Sequence, residues 1–193
     1  MTAEPPYLDL PVGRFLGLLA GPEPAPSGGG AAALAVSMAA SLCAMTARLS
    51  ARQLSPGDAE TLTHDTERMA TTAASLIQAD ADSYAAVIAA RRSAGPEPGP
   101  VAAALSAAAD VPMQIAELAV PVAETAARLA AGGNPNLRGD AVAGALLAAA
   151  GAGAAAVLVG INLAEAPDDG RPARAVRLAD EAAALAAAAQ RSC

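Results

Sequence analysis

The sequence predicts an all-α fold, a long-helix antiparallel bundle of about six helices. Aromatic residues make up only 2% of the chain and Trp is absent, so a core must be built from Ala, Leu, Val, Ile and Met. Ala has the highest helix propensity, and its small side chain lets helix axes approach closely. β-branched residues are scattered and no useful period-2 alternation occurs, which leaves strands without a signal. With 193 residues the chain fits a single helical domain spanning 1–193 with a core of its own.

Asp9 is placed to cap a first helix through about Leu19, with Leu10, Val12, Phe15, Leu16 and Leu19 as its apolar stripe and Gly21 as its stop. Pro24-Ala25-Pro26-Ser27-Gly28-Gly29-Gly30 follows. The prolines forbid helix, the glycines free the backbone, and a long helix from about Gly30 to Gln53, uncharged until Arg48, begins at once. Such a helix, apolar nearly all round, is expected to be buried nearly all round. Its N-terminus offers unpaired N–H groups to an anion, with Ser27 as the local N-cap.

Ser55-Pro56-Gly57-Asp58 is a helix start, with Ser as N-cap and Pro at the first position. The third helix runs to about Arg92, roughly 50 Å at 1.5 Å per residue. That exceeds the width of so small a domain, so its end is expected to pack on another subunit. Pro96, Pro98 and Pro100 form a linker. From Val101 to Ala131 the pattern is helical, with Pro112 and Pro121 each set to kink or break it.

A second polar loop, Gly132 to Asp140, feeds a helix from Ala141 to Ala164, with Asp140 as its cap. That helix is uncharged and long enough to span a bilayer, but its Ala and Gly contribute little transfer energy, so it reads as a buried central helix. A last amphipathic helix runs from about Pro172 to Gln190.

The formal net charge is −7, and every cation is Arg. An acidic chain without stacking aromatics does not suit nucleic acid. Cys43 and Cys193 form neither a disulfide framework nor a zinc cluster, no metal-ligand spacing is present, and the absence of a signal sequence points to the cytoplasm. The missing Lys excludes a Walker loop, and the glycines lack the strand of a Rossmann fingerprint. His64, beside Asp65, Glu67 and Arg68, reads as surface.

Three residues remain as candidates for chemistry. Asp80 falls inside the stripe of Ala73, Leu76, Ile77, Tyr84, Val87 and Ile88 on the third helix. An inward carboxylate must be paired, hydrogen-bonded or raised in pKa, and a raised pKa suits a general acid or base. Tyr84, one turn on, is a possible partner. Asn162 is a polar group in an apolar run and needs a partner when buried, whether structural or functional. Asp140 and Asn162 share a face of one helix but lie roughly 33 Å apart, too far for one small ligand within one subunit.

Taken in order, the Ser27–Gly30 loop, Asp80-Ala81-Asp82-Ser83-Tyr84, Asn134 with Asp140, and Ile161-Asn162-Leu163 resemble the cyclodeaminase/cyclohydrolase family, found also at the C-terminal end of formiminotransferase-cyclodeaminase. The resemblance spans about residues 7–165. It implies an all-helical homodimer that binds a tetrahydrofolate derivative as substrate, with no further cofactor. It implies methenyltetrahydrofolate cyclohydrolase or formiminotetrahydrofolate cyclodeaminase activity, with Asp80 and Asp140 catalytic. Ser27, Gly28, Gly29, Gly30, Tyr84, Asn134 and Asn162 then bind substrate. Neither a metal, nor nucleic acid, nor a membrane is implied. Two alternatives stand beside it: the same pocket turned to another imine or amidine cyclisation, and a non-catalytic helical binding or assembly subunit. The chain departs from the family in having Ser27 at the start of its glycine run where the family has Ser at the end. It also has no Lys after the Asp80 segment, and Gly139 stands where a Ser is usual.

Overall fold

The computed structural model describes residues 5–55, 57–93 and 99–192. Among them are seven α-helices and two short 3-10 turns, with no strand. The helices are α1 (Val12–Leu19), α2 (Gly28–Arg48), α3 (Asp58–Ser93), α4 (Gly99–Ala108), α5 (Asp110–Gly132), α6 (Arg138–Asn162) and α7 (Arg171–Arg191). The 3-10 turns span Tyr7–Asp9 and Pro135–Leu137.

α2 is the central helix, packed on α3, α5 and α6. Its contact with α6 depends on small residues. A side chain at Gly144 would stand 3.3 Å from the Ala39 carbonyl, and one at Gly151 would stand 2.5 Å from the Val36 Cγ2. These pairs also fix direction: α6 runs antiparallel to α2. The Cys43 thiol, 3.7 Å from the Val122 carbonyl, and Ser50 beside Asn134 show that α5 runs parallel to α2. Burial pushes the Cys43 thiol up to about 12, so it packs as a small apolar group.

Several boundaries move, each for a local reason. Asp9 does not cap α1. It lies in the Tyr7–Asp9 turn, and Pro11 is the N-cap, because Pro11 pushes Leu10 out of helical conformation and delays the helix. Of the predicted α1 stripe only Phe15 is buried; its ring meets Tyr7 edge-on, with centroids 6.1 Å apart. α2 starts at Gly28 and stops at Arg48. The chain turns at Ser50, whose hydroxyl donates to the Thr46 carbonyl and accepts the Asn134 N–H. α3 begins at Asp58, later than the motif with Ser55 as N-cap places it; Pro56 itself lies outside the described residues.

The segment from Val101 to Ala131 breaks once, at Ala109. Pro112 cannot donate to the carbonyl four residues back, that of Ala108, and α4 ends there. Pro121 sits inside an unbroken α5. α3, with 36 residues, is about 54 Å long; α4 folds back against it, so part of its length is covered by its own chain. α2 and α6 are each buried along one face rather than all round, leaving Met38, Leu146, Val157 and Ile161 exposed. By length and composition alone, the stretches Gly28–Arg48, Gly99–Gly132 and Pro135–Asn162 could each cross a membrane. In this fold each packs a face on its neighbours, a face of mostly small residues in α2 and α6.

Candidate active site

Asp80 is brought to the N-terminus of α2 by the antiparallel pairing of α2 and α3. Asp80 as a residue is 8% exposed. Oδ2 accepts the Gly30 N–H at 3.0 Å and the Ser27 hydroxyl at 3.2 Å. Gly30 is the third residue of α2, and its amide has no partner within the helix. Asp80 therefore caps α2 from another helix, 50 residues along the chain. Ser27 occupies the N-cap position, but its side chain makes no bond to its own helix. It turns to Asp80 instead.

The approach is close enough to require glycine. A Cβ at Gly29 would lie 1.9 Å from Asp80 Oδ1 and 2.4 Å from its Cγ, inside any van der Waals contact. Gly30, by contrast, would meet Ile77 Cγ2 at 3.6 Å, an ordinary contact. The middle glycine of the three carries the steric demand. Burial pushes the Asp80 carboxyl above its ordinary range, opposed by the bonds from Ser27 and Gly30 that favour the ionised form. A carboxyl so placed takes up and releases a proton more readily near neutrality than an exposed one.

The other predicted site residues are dispersed. Gly28 is exposed at the start of α2, and Tyr84, 38% exposed, lies one turn beyond Asp80. Among the described residues no hydrogen bond joins Tyr84 to the Asp80 carboxylate. Asn162 is at the same end of the bundle, but its Nδ2 donates to the Ala108 carbonyl at 3.2 Å, the group that Pro112 leaves without a helical donor. In this chain Asn162 closes the α4–α5 joint.

Asn134 and Asp140 lie at the opposite end of α2. Asn134 gives its backbone N–H to Ser50 and its Nδ2 to the Leu49 carbonyl, and its Oδ1 accepts the Asn136 N–H. It holds the α5–α6 turn to the end of α2. Asp140 is the third residue of α6, in its first turn, and Leu137 is the N-cap; the predicted capping role is not realised, though the charge suits the helix dipole. Down α2, this end lies roughly 25 Å from Asp80. His64 is a surface residue, its side chain 78% exposed beside Asp65.

Two features of this end were not anticipated. A cleft of about 550 Å³ is lined by Arg48, Ser55, Glu60, His64 and Glu67, and Arg48 pairs with Glu67 across it. Both residues were visible as charges flanking the α2–α3 loop, but their pairing needs the helix register. Among the described residues no cluster of His, Cys, Asp and Glu is arranged to hold a metal ion.

The sequence profile of the formiminotransferase-cyclodeaminase family matches residues 11–187. The chain belongs to that family. The fold agrees: the crystal structure of formiminotetrahydrofolate cyclodeaminase from Thermotoga maritima superposes with a TM-score of 0.81 at 26% identity, covering 96% of this chain and 94% of that one. No protein of curated function matches the chain in sequence. Family membership places Asp80 and the glycine turn within the matched region, along with Asn134, Asp140 and Asn162.

Proposed function

We propose that this chain is a folate one-carbon enzyme acting on a C–N bond, with Asp80 as its proton shuttle. The observation that carries the reading is the buried Asp80 carboxylate, seated on the N-terminus of α2 with its pKa pushed up by burial. Family membership and the likeness to a formiminotetrahydrofolate cyclodeaminase supply the substrate class.

Two reactions fit such a group. In cyclodeamination, N10 of 5-formimino-tetrahydrofolate attacks the formimino carbon and gives up its proton, the bond to the terminal nitrogen breaks, and that nitrogen leaves as ammonia, carrying the N10 proton and one from the acid. In ring hydrolysis, water adds to the carbon of the 5,10-methenyl compound and loses one proton to the base; the C–N5 bond then opens as N5 takes up a proton and the added hydroxyl gives up its own, leaving the 10-formyl compound. Both pass through a tetrahedral carbon between two nitrogens, and both begin or end in an amidine cation that a carboxylate stabilises.

Within this reading Ser27, Gly28, Gly29, Gly30 and Tyr84 surround the substrate. Asp140 takes part only from a second copy, because its own copy holds it at the other end of α2. A homodimer is therefore part of the proposal. Its interface is the uncharged outer face of α2, where Ser37, Met38, Ser41, Leu42, Met45 and Leu147 line a shallow apolar groove and Leu146 is exposed nearby.

The test mixes purified protein with each substrate and follows the methenyl chromophore. Loss of the chromophore from methenyl-tetrahydrofolate identifies the hydrolase. Its appearance from the formimino compound, with one ammonia released per turnover, identifies the cyclodeaminase. Binding without turnover makes the chain a binding module, and no binding of either overturns the folate reading. Sedimentation as a monomer at assay concentration removes Asp140 from the site.

A further inference from the structure

The end of α2 far from Asp80 carries a second cleft whose chemistry the proposed reaction does not use. About 480 Å³ in volume, it lies between the chain leaving α2 and the α5–α6 turn, and its polar lining is Arg48, Arg52, Gln53, Asn134 and Asn136. That lining is two guanidinium groups and three amides, with no carboxylate. In a chain of net charge −7 such a surface is an exception. The neighbouring 550 Å³ cleft shares Arg48 but includes Glu60 and Glu67. Glu67 accepts from Arg48 Nη2. Among the described residues, the rest of that guanidinium, the whole Arg52 guanidinium and the side-chain amides of Gln53 and Asn136 have no partner.

The frame of the cleft is fixed. Asn134 donates its backbone N–H to Ser50 Oγ at 2.8 Å and its Nδ2 to the Leu49 carbonyl at 3.2 Å, and its Oδ1 accepts the Asn136 N–H at 3.0 Å. The carbonyls that end α2, which would repel an anion, are occupied: Met45 accepts the Leu49 N–H, Thr46 the Ser50 hydroxyl, Ala47 the Ser50 N–H and Leu49 the Asn134 amide. α6 begins at Arg138, two residues past Asn136, and no side chain bonds to its N-terminus. Asp140 stands in that first turn but does not line the cleft.

We infer that this cleft binds a carboxylate. A carboxylate brings two coplanar oxygens to the fork of a guanidinium, and the amides supply further N–H groups. Two guanidinium charges less that of Glu67 leave one positive charge, which matches a carboxylate better than a phosphate of about two negative charges. Two sources carry this chemistry, the glutamate end of a folate and a free carboxylic acid. The first rests on the folate reading and on the second copy, because within one copy the cleft and Asp80 are roughly 25 Å apart along α2. Two copies pairing their outer α2 faces head to tail set Arg48 of one level with Gly28 of the other, the two ends of a 21-residue helix. The cleft of one copy then stands beside Asp80 of the other.

Calorimetric titration of the full chain with glutarate, p-aminobenzoylglutamate and the neutral glutaramide reads the cleft without turnover. The wild type binds the two acids and not the diamide, more weakly as salt is raised. Arg48→Ala and Arg52→Ala each weaken binding of the acids about 5-fold, as loss of one exposed charge-assisted contact does. Arg68→Ala, which loses only its contact with Asp65, binds as the wild type does, and thermal unfolding checks that all three variants are folded. Steady-state kinetics then names the source. If the carboxylate is the substrate's, Arg52→Ala raises KM for the folate turned over at unchanged kcat, and leaves KM for the same compound without its glutamate where it was. If it is a free acid, both KM values stay put while glutarate binding weakens.

The inference is overturned if the wild type binds neither acid at millimolar concentration, if glutaramide or inorganic phosphate binds as tightly as glutarate, or if either Arg48→Ala or Arg52→Ala binds glutarate as the wild type does. Failure of the folate reading is a separate result. A chain that turns over neither folate but binds glutarate through Arg48 and Arg52 keeps the carboxylate site and loses only its source in the substrate.

Discussion

The Asp80 carboxylate and the Gly30 amide meet at 3.0 Å, so a residue deep in α3 caps the first turn of α2. Burial of that carboxylate makes stability depend on pH in a predictable sense. Burial raises the Asp80 carboxyl above its ordinary value of 3.8, so over the window just above that value the folded chain keeps a proton that the unfolded chain has released. The contribution is full below the unfolded pKa and is lost as pH rises through the folded one. The wild type should therefore lose stability relative to Asp80→Asn as pH rises from about 4 upward. Chemical denaturation of both proteins across that range checks this; a flat difference removes the raised carboxyl.

Ser27→Ala deletes one donor to Oδ2 and leaves the Gly30 bond. The expected stability loss is about 1 kcal/mol, that of a single hydrogen bond, and the Asp80 carboxyl moves further up because the Ser27 bond holds it down. Under ring hydrolysis, where Asp80 is the base, the acid limb of the kcat/KM profile shifts to higher pH; under cyclodeamination, where it is the acid, the alkaline limb does. In an Asp80→Ala background the same substitution should have almost no effect on stability. A loss that persists there means Ser27 acts as a local cap.

How legible these relations were depends on how far apart in sequence their partners lie. Asp80 stood out because a carboxylate broke an apolar stripe of helical period, and the helix fixed its direction. Ser27 was visible as a polar residue before a helix, which reads as a local cap; its actual partner is 53 residues away, and no local pattern encodes that. Asp9 misled because an acid before an apolar stripe resembles a cap, while Pro11, two residues on, governs the backbone. The two halves of the Asn162 bond were each visible, a polar amide in an apolar run and a carbonyl orphaned by Pro112. Only tertiary packing joins them.

That pairing predicts a rescue. Asn162→Ala leaves the Ala108 carbonyl without its donor and should destabilise the chain by about 1–3 kcal/mol, the range for a buried polar group deprived of its partner. Pro112→Ala supplies a backbone N–H four residues after Ala108, positioned to take the same carbonyl. The cost of Asn162→Ala should therefore shrink in the Pro112→Ala chain, as read from a double-mutant cycle by urea denaturation. Full additivity would separate the two residues. Loss of turnover in Asn162→Ala at unchanged stability would return Asn162 to the substrate site.

α6 offers a contrast between two glycines on one helix. At Gly151 a Cβ would stand 2.5 Å from Val36 Cγ2 and 3.1 Å from the Ala32 carbonyl, whereas at Gly153 nothing lies within 4 Å. Gly151→Ala forces α6 away from α2 and should cost about 1–3 kcal/mol, as overpacking does. Gly153→Ala meets no obstruction, removes backbone freedom from the unfolded chain, and should stabilise by roughly 0.4–1 kcal/mol. Thermal unfolding of the two variants should move Tm in opposite directions. A Gly153→Ala variant less stable than wild type would mean that its open side is covered in solution, as a helix packed against a second copy of this chain would be.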